Sequence, residues 1–177
     1  HGKNIPVSGT AAPNREITVT FGNTALKTKT DSKGKWSVTL PPMPPCATGQ
    51  TLAAVQNGDS AKLEDVLVGE VWLASGQSNM LFRLNQTTTA KEDIAASGDD
   101  QLRLLNNVPQ AHTNNAPYSA KDFDAVTTNN FYKGQWAASS PATSGPMTAV
   151  GYYFGKKLRE GLGIPVGIIH SSLGGSE

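Results

Sequence analysis

The stretch "VLVGEVWLASGQSNM", residues 66–80, decides the fold, because an apolar run stops there abruptly at Ser-Gly-Gln-Ser-Asn. The run "VLVGEVWLA" has little polar alternation, which is typical of a strand buried on both faces of an α/β sheet. Ser78 then lies where a sharp turn into a helix is expected, with an exposed hydroxyl and a backbone N–H that lacks a partner within the helix. A serine in that position can attack a carbonyl while its own amide stabilises the oxyanion.

Other interpretations of the same serine are open. On spacing alone, Ser78 also suits the N-cap of a helix, a position that serine favours. The nucleophile motif G-x-S-x-G is only half present, since Gly76 stands two residues before Ser78 but Met80 stands two residues after it. A phosphate-binding loop is excluded, because G-x-x-x-x-G-K-[ST] has no match in the sequence.

The N-terminal part of the chain alternates apolar and polar residues with period two, as half-buried strands do. "DSKGK", residues 31–35, supplies the Asp and Gly of a tight turn and predicts a hairpin over residues 25–40. Asn57-Gly58 suits a type I′ turn and predicts a second hairpin, between residues 51–55 and 62–66. We therefore expect a small, all-β, sandwich-like accessory domain, with too few strands for a complete sandwich.

The C-terminal part has an α/β pattern. Apolar residues at spacings of three and four over residues 150–162 predict one amphipathic helix, which Thr148 would cap and Gly163 would end. "IPVGIIH", residues 164–170, predicts a strand directly after that helix, and residues 102–105 predict another. A strand that follows a helix and has an earlier parallel partner completes a βαβ-type crossover.

Composition excludes several classes of partner. Fifteen Lys and Arg residues against fourteen Asp and Glu give a net charge of +1, and neither sign forms a run, so the sequence predicts no nucleic-acid partner. No apolar stretch approaches the roughly 18 residues of a membrane helix, so no membrane partner is expected. Cys46 is the only cysteine, which excludes an internal disulfide and a cysteine-based zinc site.

Two loops leave the carboxyl ends of the predicted strands, where ligands of open α/β sheets bind. They are "SGQSN", residues 75–79, and "SSLGGSE", residues 171–177. Gly174 and Gly175 allow the main chain to approach a ligand because they have no Cβ, although a glycine pair is by default a turn. Together the two loops have the parts of half an acyl-transfer site.

The residues of both loops carry a family resemblance. "VGEVWLASGQSNM" resembles the nucleophile block of the SGNH hydrolases, in the branch of sialate O-acetylesterases and related carbohydrate acetylesterases. "VGYYFGKKLREGLGIPVGIIHSSLGGSE", residues 150–177, resembles the second block of that branch, and residues 17–45 resemble the β-domain that precedes or interrupts its esterase domain.

The resemblance implies a fold and a site. The fold would be an SGNH (flavodoxin-like) three-layer αβα domain, of which residues 67–177 are the N-terminal portion, preceded by the all-β accessory domain at residues 1–66. Ser78 would be the nucleophile and, through its N–H, an oxyanion donor. Gly174 or Gly175 would be the second donor, and Gln77 and Asn79 would be supporting residues. The reaction would be hydrolysis of acetyl esters on an O-acetylated carbohydrate, with no metal or other cofactor, in a secreted or periplasmic protein.

The general base of that reaction is missing. The family supplies it as Asp-x-x-His, and this pattern does not occur in the chain. Of the three histidines, His1 is terminal, His112 lies in a polar loop, and His170 ends the second strand without a nearby aspartate. The chain is therefore interpreted as a segment of a longer enzyme, whose partner is the remaining part of the esterase domain on the same or a companion chain.

Two other functions stay open. One is a non-catalytic carbohydrate-binding or structural module, in which the β-domain binds and Ser78 is a cap. The other is a lipase or thioesterase, which the sequence favours less because no long apolar acyl groove is evident. Trp72 and Trp136 are interpreted as packing residues rather than sugar platforms, and Asp65 and Glu70 as strand-end or supporting groups.

Overall fold

The computed structural model describes residues 1–111, 117–127 and 130–175. The chain divides into two compact units, His1–Gly69 and Glu70–Glu177, with only strands in the first and both strands and helices in the second. Within the described residues, no helix is both long and apolar enough to cross a membrane.

The first unit consists of two antiparallel sheets. Its strands are β1 (Ile5–Thr10), β2 (Glu16–Phe21), β3 (Thr24–Lys29), β4 (Lys35–Leu40), β5 (Cys46–Gln56) and β6 (Asp59–Val68). One sheet has the order β3-β2-β5-β6 and the other pairs β1 with β4. Phe21, Leu40 and Val68 come from both sheets and form one buried cluster. This unit therefore has its own core.

One of the two predicted hairpins is confirmed. β5 and β6 pair antiparallel across Asn57 and Gly58, with Gln56 opposite Asp59. Both turn residues have positive φ, 50° and 93°, as a type I′ turn requires. The paired strands extend further in both directions than the sequence predicted.

The predicted hairpin over residues 25–40 is wrong, because β3 and β4 belong to different sheets. β3 instead pairs with β2 across a tight turn at Gly22, whose φ is +55°. The 31–35 turn does form, with Asp31 Oδ1 accepting the Lys35 N–H at 2.8 Å. This turn is hydrogen-bonded to the segment after β1, because the Ala11 N–H donates to the Gly34 carbonyl at 2.9 Å. β4 then pairs antiparallel with β1 and not with β3.

The second unit is built on a four-stranded sheet with the order β11-β8-β12-β7. Its elements in chain order are β7 (Glu70–Gly76), α1 (Ser78–Leu81), α2 (Ala90–Ala95), β8 (Asp99–Asn106), β9 (Val108–Pro109), α3 (Ala120–Ala125), β10 (Tyr132–Lys133), β11 (Trp136–Ser139), α4 (Ala149–Leu162) and β12 (Val166–Ser172). β12 runs parallel to both β7 and β8, which confirms the predicted parallel pairing. Ile168 of β12 and Tyr152 of α4 lie at the centre of the core of this unit.

The predicted helix over residues 150–162 is confirmed as α4. Thr148 is its N-cap and its hydroxyl oxygen accepts the Gly151 N–H, while Gly163 ends it in the left-handed conformation with φ 66°. Gly151 and Gly155 form the face that contacts the sheet, and a Cβ on Gly155 would lie 2.6 Å from Ile168 Cγ1. The small residues therefore let α4 pack closely on β12.

The apolar run at residues 66–74 is not one strand buried on both faces. It is divided at Gly69 between β6 and β7. Val71, Trp72 and Leu73 are 61%, 44% and 65% exposed. β7 lies at the edge of its sheet, where β12 is its only partner among the described residues. Trp72 contacts Phe154 of α4, and Val71 and Leu73 alternate with it, so they lie on the opposite face of the strand.

Candidate active site

The two loops predicted from the sequence leave the same edge of the sheet. Parallel pairing of β7 and β12 continues to their carboxyl ends, where Gly76 lies opposite Ser172. Just beyond, the Leu173 N–H donates to the Gly76 carbonyl oxygen at 3.2 Å. The chain therefore enters both loops from neighbouring backbone positions.

Gly76 allows the chain to turn from β7 into α1. Its φ is +153°, which favours glycine. A Cβ at this position would lie 3.2 Å from Met80 Cβ, on the first turn of α1. Both the dihedral angle and the close approach of α1 therefore disfavour any other residue.

Ser78 is the first residue of α1 and not its N-cap. The N-cap is Gln77, which makes no side-chain capping hydrogen bond. The Ser78 side chain is exposed and makes no hydrogen bond to another described residue. Its backbone N–H is one of the first-turn donors that have no acceptor within a helix. The interpretation of Ser78 as an N-cap is thus wrong. Neither its hydroxyl nor its backbone N–H is hydrogen-bonded to another described residue.

The residues predicted to support Ser78 flank it on the surface. Gln77 and Asn79 are exposed, and neither side chain hydrogen-bonds to a described residue. The main chain instead fixes this turn, with the Leu81 N–H donating to the Gln77 carbonyl at 2.9 Å and the Phe82 N–H to the Ser78 carbonyl at 3.1 Å.

Gly174 and Gly175 lie close to the same helix. A Cβ on Gly174 would be 3.1 Å from Leu81 Cδ2, so this loop packs against the end of α1. Gly175 has φ +75°, the left-handed conformation that turns the chain here. The structure thus brings the glycine loop to the helix that begins with Ser78.

A cavity of about 370 Å³ opens beside these loops, at the carboxyl ends of β8 and β12. Both glycines line it, and its polar lining includes Arg83, Asn106 and His170. Ser78 is not among the lining residues. Among the described residues that line it, Arg83 alone has a formally charged side chain, so this lining favours polar or anionic groups.

His170 is buried beneath the cavity in a hydrogen-bond network. It is 2% exposed, and its Nδ1 lies 2.7 Å from Asn106 Oδ1 and its Nε2 2.5 Å from Ser172 Oγ. Burial lowers the pKa of His170, the positive charge of Arg83 lowers it further, and the Met80 backbone partly opposes both. Because both ring nitrogens have other partners, His170 is not hydrogen-bonded to Ser78.

The sequence did not identify Asn106, Ser172 or Arg83 as site residues. Asn106 and His170 are 64 residues apart and meet only through the pairing of β8 with β12. A polar residue at the end of each of two apolar strands was the only available signal. His112 lies outside the described residues. Within the described residues no cluster of His, Cys, Asp and Glu suited to a metal ion is found.

Comparison with known proteins first identifies the class. No family model matches the chain. Its fold is similar to that of a carbohydrate acetylesterase from Xanthomonas citri, with a TM-score of 0.81 and 35% identity, over 99% of this chain and 37% of that one. The chain is therefore related to the carbohydrate acetylesterases, as the resemblance in its sequence indicated.

The curated relatives indicate a narrower group within that class, the sialate O-acetylesterases. The chain is 31% identical to the human sialate O-acetylesterase over 185 residues, and 29% identical to the mouse enzyme over 182 residues. Each match covers 95% of this chain but only 33% and 32% of the respective relative. The chain thus spans about a third of the length of the sialate O-acetylesterases to which it is related.

Proposed function

We propose that the protein carrying this chain is a carbohydrate O-acetylesterase of the SGNH type, which acts through an acyl-serine intermediate on Ser78. The main observation is that Ser78 is the first residue of α1 and that its hydroxyl is not used as a helix cap. It lies just beyond the carboxyl end of β7, next to the end of β12, which leads into Gly174 and Gly175. Relatedness to acetylesterases over nearly the whole chain supports the same chemistry.

In this proposal the Ser78 Oγ bonds to the acetyl carbonyl carbon as the hydroxyl proton passes to a general base. The bond from that carbon to the sugar oxygen then breaks, and the sugar oxygen takes the proton. Water hydrolyses the acetyl-serine and releases acetate. The oxyanion is bound by the N–H of Ser78 and the N–H of Gly174 or Gly175. Gln77 and Asn79 flank the nucleophile as supporting residues.

The proposal also assigns the general base to another part of the protein. Asp-x-x-His is absent from the 177 residues, and His170 is already engaged by Asn106 and Ser172. The exposed apolar side chains of β7 support packing of further esterase structure against this strand, from the same or a companion chain. We include in the proposal a three-layer αβα domain, an accessory role for the all-β unit, and a secreted or periplasmic location.

The test is Ser78→Ala in the complete protein, assayed on acetylated sugars. Turnover is expected to fall by at least about a thousandfold, because the covalent step is lost. Ser75→Ala is the matched control, since Ser75 is also exposed and lies on β7 three residues earlier. Acetylation of Ser78 in a trapped intermediate would be seen by mass spectrometry. Retention of parental turnover by Ser78→Ala would refute the assignment.

A second candidate function rests on the first unit. An open concavity of about 550 Å³ is lined there by Trp36, Thr28, Ser8 and two lysines, Lys29 and Lys35. An aromatic side chain beside hydroxyl and ammonium groups can bind a sugar by stacking and hydrogen bonding. Retention of the chain on immobilised glycan that is lost with Trp36→Ala and unchanged with Ser78→Ala would support glycan binding there. Absence of retention would exclude it.

A further inference from the structure

His170 links the carboxyl ends of two strands through its side chain. Its ring contacts Asn106 on β8 and Ser172 on β12, and both His170 and Ser172 are 2% exposed. The main chain is joined at the same level, since the Asn107 N–H donates to the His170 carbonyl oxygen at 2.9 Å. A buried polar group with both ring nitrogens satisfied stabilises one arrangement of its neighbours.

The direction of these hydrogen bonds follows from the Asn106 amide. Its Nδ2 donates to the Pro146 carbonyl at 3.4 Å, so its Oδ1 faces the ring. A carbonyl oxygen only accepts, and His170 Nδ1 therefore carries the proton. In the neutral ring Nε2 then accepts from the Ser172 hydroxyl. Burial and the charge of Arg83 favour that neutral ring by lowering the pKa of His170, and they outweigh the Met80 backbone, which raises it.

Ser172 is the point at which β12 becomes the glycine loop. It is the last residue of the strand and lies opposite Gly76, and Gly76 precedes Ser78 by two residues. Gly174 follows two residues later and packs against Leu81 of α1. Any displacement of Ser172 is thus transmitted to the loop whose N–H groups would bind the oxyanion.

We propose that His170 is a positioning residue, which holds the Ser172 hydroxyl and thereby fixes the loop of Gly174 and Gly175 relative to Ser78. This inference rests on the proposed acetylesterase function. Its physical basis is that an oxyanion donor must lie about 2.7–3.1 Å from the developing charge, so that a small shift of the loop weakens transition-state binding. Ground-state binding of the sugar depends much less on that distance.

Two substitutions of His170 separate its hydrogen bonds. In His170→Gln the longer amide reaches the position of Nε2 and can still accept from Ser172. In His170→Asn the shorter amide reaches only the position of Nδ1, so the bond to Ser172 is lost. Ser172→Ala removes the same bond from the other side. Ser171→Ala is the control, because this neighbouring serine lies on the same strand and makes no hydrogen bond through its side chain to a described residue.

The experiment measures kcat, KM and the thermal unfolding midpoint for each variant of the complete protein. We expect His170→Asn and Ser172→Ala to lower kcat by about tenfold to a hundredfold with KM within about twofold. His170→Gln should stay within about fivefold of the parent, and Ser171→Ala should not change kcat. A purely structural role would instead lower the activity of His170→Gln and His170→Asn alike, in proportion to the folded fraction.

Ser78→Ala, assayed beside these variants, separates the two proposals. If Ser78→Ala retains turnover, the assignment of Ser78 as the nucleophile fails, and the positioning role of His170 fails with it. If Ser78→Ala is inactive while Ser172→Ala keeps the parental kcat, the assignment stands and the positioning role of His170 is overturned. Covalent labelling of Ser172 by a fluorophosphonate would likewise overturn it, because Ser172 would then be a nucleophile.

Discussion

Substitution of Gly155 by alanine tests whether close packing of α4 on β12 stabilises the second unit. Gly155 is buried in the middle of α4. A Cβ there would lie 2.6 Å from Ile168 Cγ1, 2.9 Å from Ile168 Cδ1 and 3.2 Å from Leu102 Cδ1. Ile168 is fully buried and Leu102 is 1% exposed, so neither side chain has free space to enter. Ile168 is also stiff at χ1, and its Cγ1 moves only with that torsion.

Two opposing effects determine the sign of the change. Alanine in a helix interior is more favourable than glycine by about 1 kcal/mol. Overpacking of a core by one carbon costs typically 1–3 kcal/mol, occasionally more, and the 2.6 Å approach at a β-branched residue indicates the upper part of that range. We therefore expect Gly155→Ala to lower the free energy of unfolding by about 1–2 kcal/mol.

The matched control is Gly161→Ala in the same helix. Gly161 is exposed, and a Cβ there would meet nothing within 4 Å, so only the helix propensity applies. This variant should gain about 0.5–1 kcal/mol. Urea unfolding of the chain followed by circular dichroism measures both. Equal or greater stability of Gly155→Ala relative to the parent would refute the packing argument, whereas a gain in Gly161→Ala alone would confirm it.

Three further predictions concern the site and its supports. Thr148→Ala should lower the free energy of unfolding by about 1 kcal/mol, with partial recovery in Thr148→Ser, because the capping oxygen of α4 is lost and then restored; urea unfolding measures this. Gly76→Ala should lower both stability, by about 1–3 kcal/mol, and the kcat of the proposed acetylesterase reaction, because φ is +153° and Met80 lies close. Unchanged kcat would show that the turn tolerates a side chain. Lowering the pH from about 7.5 to about 5.5 should destabilise the parent more than His170→Gln. The unfolded chain takes up a proton near the ordinary histidine pKa, whereas buried His170, with its lowered pKa, takes one up only at lower pH. Equal losses of unfolding free energy in paired urea titrations would contradict this.

Local sequence signals predicted those elements whose boundaries depend on nearby residues. The ends of α4 followed from Thr148 and Gly163, because a cap and a left-handed glycine act within one turn of the helix. The β5–β6 hairpin followed from Asn57-Gly58 for the same reason. The parallel partner of β12 was also predicted, since apolar strands separated by a helix form parallel pairs.

Pairing between distant segments was beyond such signals. The turn at residues 31–35 has the residues of a hairpin, but the sequence does not encode that Ala11 binds it and directs β4 to β1. Exposure of Val71 and Leu73 depends on what packs against their face of β7 and not on their own hydrophobicity. The contact of His170 with Asn106 likewise required the register of two parallel strands.

The position of Ser78 one residue inside α1 has a chemical consequence. A serine at the N-cap accepts a first-turn N–H with its side-chain oxygen, and that hydrogen bond holds its hydroxyl against the helix. Gln77 occupies the cap without such a bond, so the Ser78 oxygen is not committed. The Ser78 N–H is at the same time a first-turn donor without an intrahelical acceptor. In the proposed mechanism one residue would thus supply both the nucleophile and an oxyanion donor. Gly76, with φ +153°, permits this arrangement because it lets the chain begin its helix directly beyond the end of β7.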